Sequence, residues 1–338
     1  MNENTILSYK PPRFQLNKTI IEKPLQKLDL CIVPIGSYQN IAYNFILQKI
    51  LKEHNIESNV KIGFQQLSAP IQALDIIYPY EKFDKLIKEG RLEDEEINET
   101  ISYRELIGKR GLDRVVNYNK TDKTEYTYKT KIRETYGPIF SKNEIGKYSS
   151  KMKFICNQVE NSEGIVLIYS QYIDGGCVPI ALCLEEMGYT RYGRPNLFKK
   201  PPTKSNGLKY SMITGNLALS PNNMREIKKA IKDDNINGEN IKVIIISEAA
   251  SEGIDLKNVR QVNILEPWYN INRLEQIIGR AVRNCSHKNL PFNKHNVQIF
   301  LYGTQLKEQR EEAADMYIYR TSEHKSINIG RVTRVLKE

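Results

Sequence analysis

The sequence predicts an α/β fold in which a parallel sheet carries helices on both faces. Three observations point there. First, the runs GIVLIYS at 164–170, KVIIIS at 242–247 and VQIFLY at 297–302 are apolar at nearly every position rather than at alternate ones. Strands covered on both faces read that way. Second, segments of helical period separate such runs, and strands alternating with helices through short links build parallel sheets. Third, 338 residues that are 40% hydrophobic and 27% charged have an ordinary globular composition and can bury a substantial core.

Taken in order, residues 1–30 are polar and proline-bearing and lead into a strand, LDLCIVPI at 28–35. A helix follows in SYQNIAYNFILQKILKEH, where Ser37 can cap the first turn and Ile41, Phe45, Ile46 and Ile50 form an apolar stripe. Residues 81–100 are hydrophilic, a solvated connection or helix face. From Lys109 to Tyr136, Lys and Arg interleave with Tyr118, Tyr126, Tyr128 and Tyr136. Two readings stand for this segment: cations tracking phosphates while rings stack on bases, or an exposed Tyr-rich insertion without a ligand. After the strand at 164–170 come the loop QYIDGGC and a helix from Val178 to about Met187, with Pro179 in its first turn. A basic insertion at 190–208 interrupts the pattern. The strand KYSMIT, a helix opened by Ser220-Pro221 and running to about Lys232, KVIIIS and the strand QVNILE restore it. Residues 303–338 read as helical and finish in a basic tail. Ligands of such a sheet sit at the carboxyl ends of the strands, where YSQYIDGG, TGN and SEAASEGIDL fall.

The chemically pointed stretch is NRLEQIIGRAVR, Asn272 to Arg283. On one helix Gln276, Arg280 and Arg283 lie four and three residues apart and share a face. Leu274, Ile277, Ile278, Ala281 and Val282 occupy the opposite face and would bury against the sheet. Two planar guanidiniums one turn apart suit the oxygens of a phosphoryl group. A basic amphipathic helix with solvated arginines is the plainer reading, so the helix alone does not decide.

Composition narrows the classes. No run reaches the roughly 18 apolar residues that a membrane span requires, and no signal peptide is recognisable, so no membrane partner is expected. A net charge of +10 favours a polyanionic partner. Five cysteines without CxxC pairs argue against a disulfide framework, and four histidines without HExxH spacing argue against a metal site.

The order of the parts resembles superfamily 2 helicases of the Swi/Snf-like kind. GIVLIYSQ, then SMITG with SPNNMREI, then IIISEAASEGIDL, then QIIGRAVR are similar to motifs IV, V and VI of the second, RecA-like domain. LDLCIVPIGSYQNIAYNFI resembles the strand and helix that leave the first RecA-like domain. SAPIQALDIIYP with KYSSKMKFI is similar to the crossover before motif IV, and EPWYN and RNCSHKNLP resemble helicase-like NTPases of large nucleocytoplasmic DNA viruses, including poxvirus transcription NTPases. The resemblance covers most of residues 10–335. It implies a remnant of a first RecA-like domain and crossover over 1–80 and a charged, Tyr-rich insertion over 81–147. A RecA-like helicase C-terminal domain would span 148–304, and a helical extension 305–338.

By the same resemblance, Arg280 and Arg283 match the motif VI arginines that reach the γ-phosphate, with Gln276 opening that motif. Glu252, Gly253 and Asp255 match the nucleotide-side loop. Ser170, Gln171, Thr214, Gly215 and Ser247 match strand-end contacts to the backbone of DNA or RNA. Taken alone, Asp255 reads as a turn residue, Trp268 as a core or loop anchor and His287 as a satisfied polar side chain. The sequence contains no GxxxxGK[ST] loop, GKYSS at 146–150 lacking the leading glycine, and no DExx box. ATP and its Mg²⁺ are therefore expected on a first RecA-like domain, in trans or on a longer chain, and no ATP hydrolysis is expected from this chain alone. Viral transcription machinery is a further partner the resemblance implies, with an intracellular location in virion or host cytoplasm. The alternative is a non-catalytic module that binds nucleic acid or a transcription partner through its basic insertions.

Overall fold

Ile165–Ser170 and Val243–Ser247 are buried at every position, and the architecture explains why. In a computed structural model, which describes residues 30–53, 63, 65–92, 94, 100–250, 254–307 and 312–337, these strands lie at the centre of a seven-stranded sheet. Its strands are β1 (Leu30–Pro34), β4 (Ile165–Ser170), β5 (Thr190–Arg191), β6 (Lys209–Ile213), β7 (Val243–Ser247), β8 (Val259–Ile264) and β9 (Gln298–Gln305). The order is β1-β9-β8-β4-β7-β6-β5, with every neighbouring pair parallel. Strands β2 (Val116–Asn119) and β3 (Thr124–Tyr128) form a separate antiparallel hairpin.

Side chains of successive strand residues point to opposite faces, and both faces are apolar here. Val166 and Ile168 pack with α7 (Ser150–Glu160) and α8 (Val178–Glu186), whose Pro179 sits in the first turn. Ile165, Leu167 and Tyr169 pack with α9 (Asn223–Ala230) and α10 (Ile271–Ala281). A third cluster joins α1 (Ser37–Glu53), α2 (Ser68–Asp75) and α3 (Glu81–Glu89) to the start of α11 (Ala314–Lys337). Helix α4 (Gly108–Val115), α5 (Thr130–Tyr136) and the short α6 (Ile145–Tyr148) are the other described α-helices. Among the described residues no helix is long and apolar enough to cross a membrane.

The structure corrects several expectations. Within 1–80, expected as a first-domain remnant and crossover, β1 pairs along β9 from Leu30↔Leu301 to Pro34↔Gln305 and extends the same sheet. Lys109 to Tyr136 is not an exposed insertion. Helix α3 buries Phe83 and Leu86 and ends on Gly90 at φ +65°, the left-handed cap that glycine adopts without strain. Leu112, Val115, Val116, Tyr126, Ile139 and Phe140 share a core with the sheet. Tyr126 is buried with Tyr118 stacked on it, while Tyr128 donates to Glu186 and Tyr136 to Asp84. Rings bound into the protein this way are not a platform for bases.

The basic insertion is likewise part of the structure. Leu197 and Phe198 are buried, their amides donate to Glu185 at 2.6 and 2.8 Å, and the backbones of Tyr126 and residues 197–199 exchange hydrogen bonds. Arg191 and Arg194 are spent on the Leu219 and Ala218 carbonyls. Ser220 does not cap α9. Its hydroxyl donates to the Met212 carbonyl at 2.6 Å and accepts from the Thr214 amide at 3.2 Å. The final helix begins at Ala314, not 303, because β9 continues to Gln305.

Candidate functional site

The carboxyl ends of β4, β6, β7 and β8 form one edge of the sheet. At β4 the chain leaves Ser170 into a wide turn, Ile173–Cys177. A side chain at Gly176 would run into Ser170, its Cβ lying 2.6 Å from the Ser170 Cβ, so the turn closes only with glycine there. Ser170, Thr214 and Ser247 are 0%, 0% and 2% exposed. The Ser170 hydroxyl donates to Glu266, Thr214 Oγ1 is paired with Ser220 Oγ at 3.0 Å, and Ser247 Oγ accepts from the Gly215 amide at 3.3 Å. Expected as contacts to a nucleic-acid backbone, these three hydroxyls instead satisfy buried polar groups at strand ends, as a close-packed edge demands. Gln171 is half-buried and Gly215 exposed, so both are accessible.

The same edge carries groups that sequence reasoning did not single out as a site. Trp268 and Tyr269 stack with ring centroids 4.8 Å apart, and Tyr269 is 46% exposed. The Arg273 guanidinium lies 4.7 Å from the Trp268 ring centroid and bonds Glu248 at 2.5 Å. Asn270 caps α10 by accepting from the Asn272 amide at 3.1 Å. Glu266, 1% exposed, accepts from Ser170 and from the Gln171 amide at 3.0 Å. Its legible signal is a carboxylate two residues past the end of a strand, beyond Ile264 and Leu265.

Helix α10 starts at this edge and runs back along the sheet. With 11 residues at ~1.5 Å each it covers about 16 Å, which carries its last turn to the amino end of β8. There Arg280 Nη1 donates to the Ile254 carbonyl at 3.2 Å, the Leu256 amide donates to the Arg280 carbonyl at 3.3 Å, and the Asn258 amide donates to the Ser286 carbonyl at 3.0 Å. His287, 9% exposed, bridges Ser286 Oγ at 2.8 Å and the Val259 carbonyl at 2.7 Å, and burial lowers its pKa. Arg283 is ion-paired with Asp255, their side chains 47% and 66% exposed. The Arg280 Nε is buried with no partner among the described residues.

This placement differs from the single edge expected for all the site residues. The arginines and Asp255 lie at the amino side of β8, away from Gln171 and Gly215. Helix α10 also stops at Ala281: Val282, at φ −101° and ψ 86°, has left the helix and is 49% exposed. Arg283 therefore does not share a helical face with Gln276, which is exposed on α10, or with Arg280. Glu252 and Gly253 lie outside the described residues.

Residues 150–285 match the helicase conserved C-terminal domain. This segment is a helicase C-terminal domain. Among curated relatives, "Putative ATP-dependent RNA helicase R563" of Acanthamoeba polyphaga mimivirus is 30% identical over 229 residues, covering 64% of this chain and 36% of the relative. A "Termination factor NPH-I homolog" of African swine fever virus is 32% identical over 184 residues, covering 46% of this chain and 26% of the relative. The chain thus spans 36% and 26% of the lengths of these two proteins. Among solved structures, the C-terminal part of the Fun30 ATPase domain has 16% identity and a TM-score of 0.46, covering 88% of this chain and 89% of that one.

The helicase domain as matched runs from α7 to just beyond α10. It contains both clusters, and β1, β9 and α11 flank it.

Proposed function

We propose that the helicase domain is the C-terminal half of an ATP-dependent helicase or translocase, presenting Arg280 and Arg283 to ATP carried by another RecA-like domain. The observation that carries this reading is a pair of guanidiniums beside the loop that precedes β8, one half-buried and bonded to the Ile254 carbonyl, one exposed and paired with Asp255, inside a matched helicase segment. ATP fits what is there. Arg280 Nε is a buried donor without a partner among the described residues, and the Arg283–Asp255 pair is exposed, hence worth at most about 1 kcal/mol, so phosphate oxygens can replace the carboxylate. Planar guanidinium forks would hold those oxygens and neutralise the charge that develops on phosphoryl transfer. Mg²⁺ would come with the ATP on the other domain.

In this reading the carboxyl edge meets nucleic acid through Gln171, Gly215 and the stacked Trp268–Tyr269 pair with Arg273, rings serving as surfaces for bases and the cation for phosphate. The name of the African swine fever virus relative makes viral transcription machinery the first partner class to test.

The experiment mixes this chain with a polypeptide bearing a GxxxxGK[ST] loop and a DExx box and measures phosphate release with and without nucleic acid. Stimulation lost by about 10³-fold or more in Arg280→Ala and in Arg283→Ala is expected. Stimulation indifferent to both substitutions sinks the proposal. The binding-module alternative predicts instead salt-dependent nucleic-acid binding that survives both changes and weakens when Lys199, Lys200 and Lys204 are neutralised.

A further inference from the structure

A buried charge network lies directly beneath the β4 loop, and the mechanism above does not use it. Glu266 faces Ser170 and the Gln171 amide on one side and neighbours Asp75 of α2 on the other. Lys151 of α7 bonds Asp75 at 3.3 Å, Asp315 of α11 at 2.9 Å and the Leu265 carbonyl at 3.1 Å. All four ionisable side chains are at most 1% exposed. Three carboxyls against one ammonium leave an excess of negative charge that burial does not tolerate. Asp75 Oδ2 receives no donor from the network, so a proton held between Asp75 and Glu266 satisfies both.

Glu266 thus accepts from two donors of the loop, the Gln171 amide and the Ser170 hydroxyl, the latter also lying 3.1 Å from the Tyr172 carbonyl, and Gln171 is the accessible residue between them and solvent. We propose that Glu266 is a positioning residue: its carboxylate, backed by Asp75 and Lys151, sets the orientation in which Gln171 meets nucleic acid. Removing the carboxylate leaves the Gln171 amide without its acceptor and the Ser170 hydroxyl with the Tyr172 carbonyl alone, which favours turning the amide toward water. The inference rests on reading the carboxyl edge as the nucleic-acid face.

Two measurements on the full chain test it and keep the two ideas apart. The first is fluorescence-anisotropy binding of a labelled DNA single strand and its RNA counterpart to Gln171→Ala, Glu266→Gln and the double variant. Each single change is expected to weaken binding about tenfold and the double no further, because both act through one side chain. Additive losses overturn the positioning role. The second follows the Gln171 backbone amide by NMR through about pH 5 to 9, the range in which a carboxyl pushed up to about 7 by burial titrates. Lys151, Tyr169, Tyr172, Tyr319 and Cys177, which also pack on this pair, are shifted upward out of that range. The amide is expected to move with pH in the parent, to stand still in Glu266→Gln, and to move with a displaced midpoint in Asp75→Asn. An amide that ignores pH in the parent, or a midpoint indifferent to Asp75, overturns the proposal even if Glu266→Gln fails to fold. Binding unaffected by Gln171→Ala, with a titrating amide, overturns only the nucleic-acid reading of this edge.

Discussion

The Arg283 guanidinium reaches Asp255 across the loop that leads into β8, with both side chains largely in solvent. Such a pair gains little Coulomb energy and loses side-chain freedom. Asp255→Ala is therefore expected to change the unfolding free energy by less than about 1 kcal/mol in urea titrations; a larger loss would mean that the pair is structural rather than exchangeable. Gly176 is the opposite case. A methyl there meets Ser170 and comes within 3.3 Å of the Glu266 carboxylate, so Gly176→Ala is expected to cost roughly 1–3 kcal/mol by the same measurement, as overpacking does. An unchanged midpoint would show that the turn after β4 can open without loss.

At the level of single elements, α10 is organised by its two ends. Asn270 supplies the cap at the carboxyl edge, and Asn270→Ala is expected to cost about 1 kcal/mol, read from the denaturation midpoint. The helix stops at Ala281 without a glycine or proline to announce it, which is why spacing alone put Arg283 on the wrong support. Central strands were legible because burial on both faces leaves a contiguous apolar run, as in Val243–Ser247. Strand β1 was legible as a strand but not in its place, since its partner β9 lies some 270 residues away. The hydroxyls of Ser170, Thr214 and Ser247 were correctly assigned to strand ends, yet a sequence does not tell whether such a group faces water or a buried amide. Tyr126 and Tyr128 misled for a related reason: amphipathic rings amid lysines suit a core wall as well as a ligand.

Across the molecule, burial raises the carboxyls of Asp75, Asp174, Glu185, Glu186, Glu226 and Glu266, with Glu185 and Glu266 both reaching about 7. Unfolded carboxyls titrate near 4, so between the two ranges the folded chain holds more protons and loses stability as pH rises. His287, lowered by burial, opposes this, as do the lowered carboxyls of Glu81, Asp234 and Glu239 at the acid end. The denaturation midpoint is expected to be higher at about pH 5 than at about pH 8; the reverse order would mean that these carboxyls are hydrated in the folded protein.

The sheet does not end where the conserved domain does. Excising 150–285 would shed β1, β9 and α11, leave one side of β8 as a bare row of amides and carbonyls, and maroon the Lys151 ammonium without either aspartate. Such a piece should clump on expression while the longer polypeptide does not, so the unit that folds is wider than the unit that recurs among helicases.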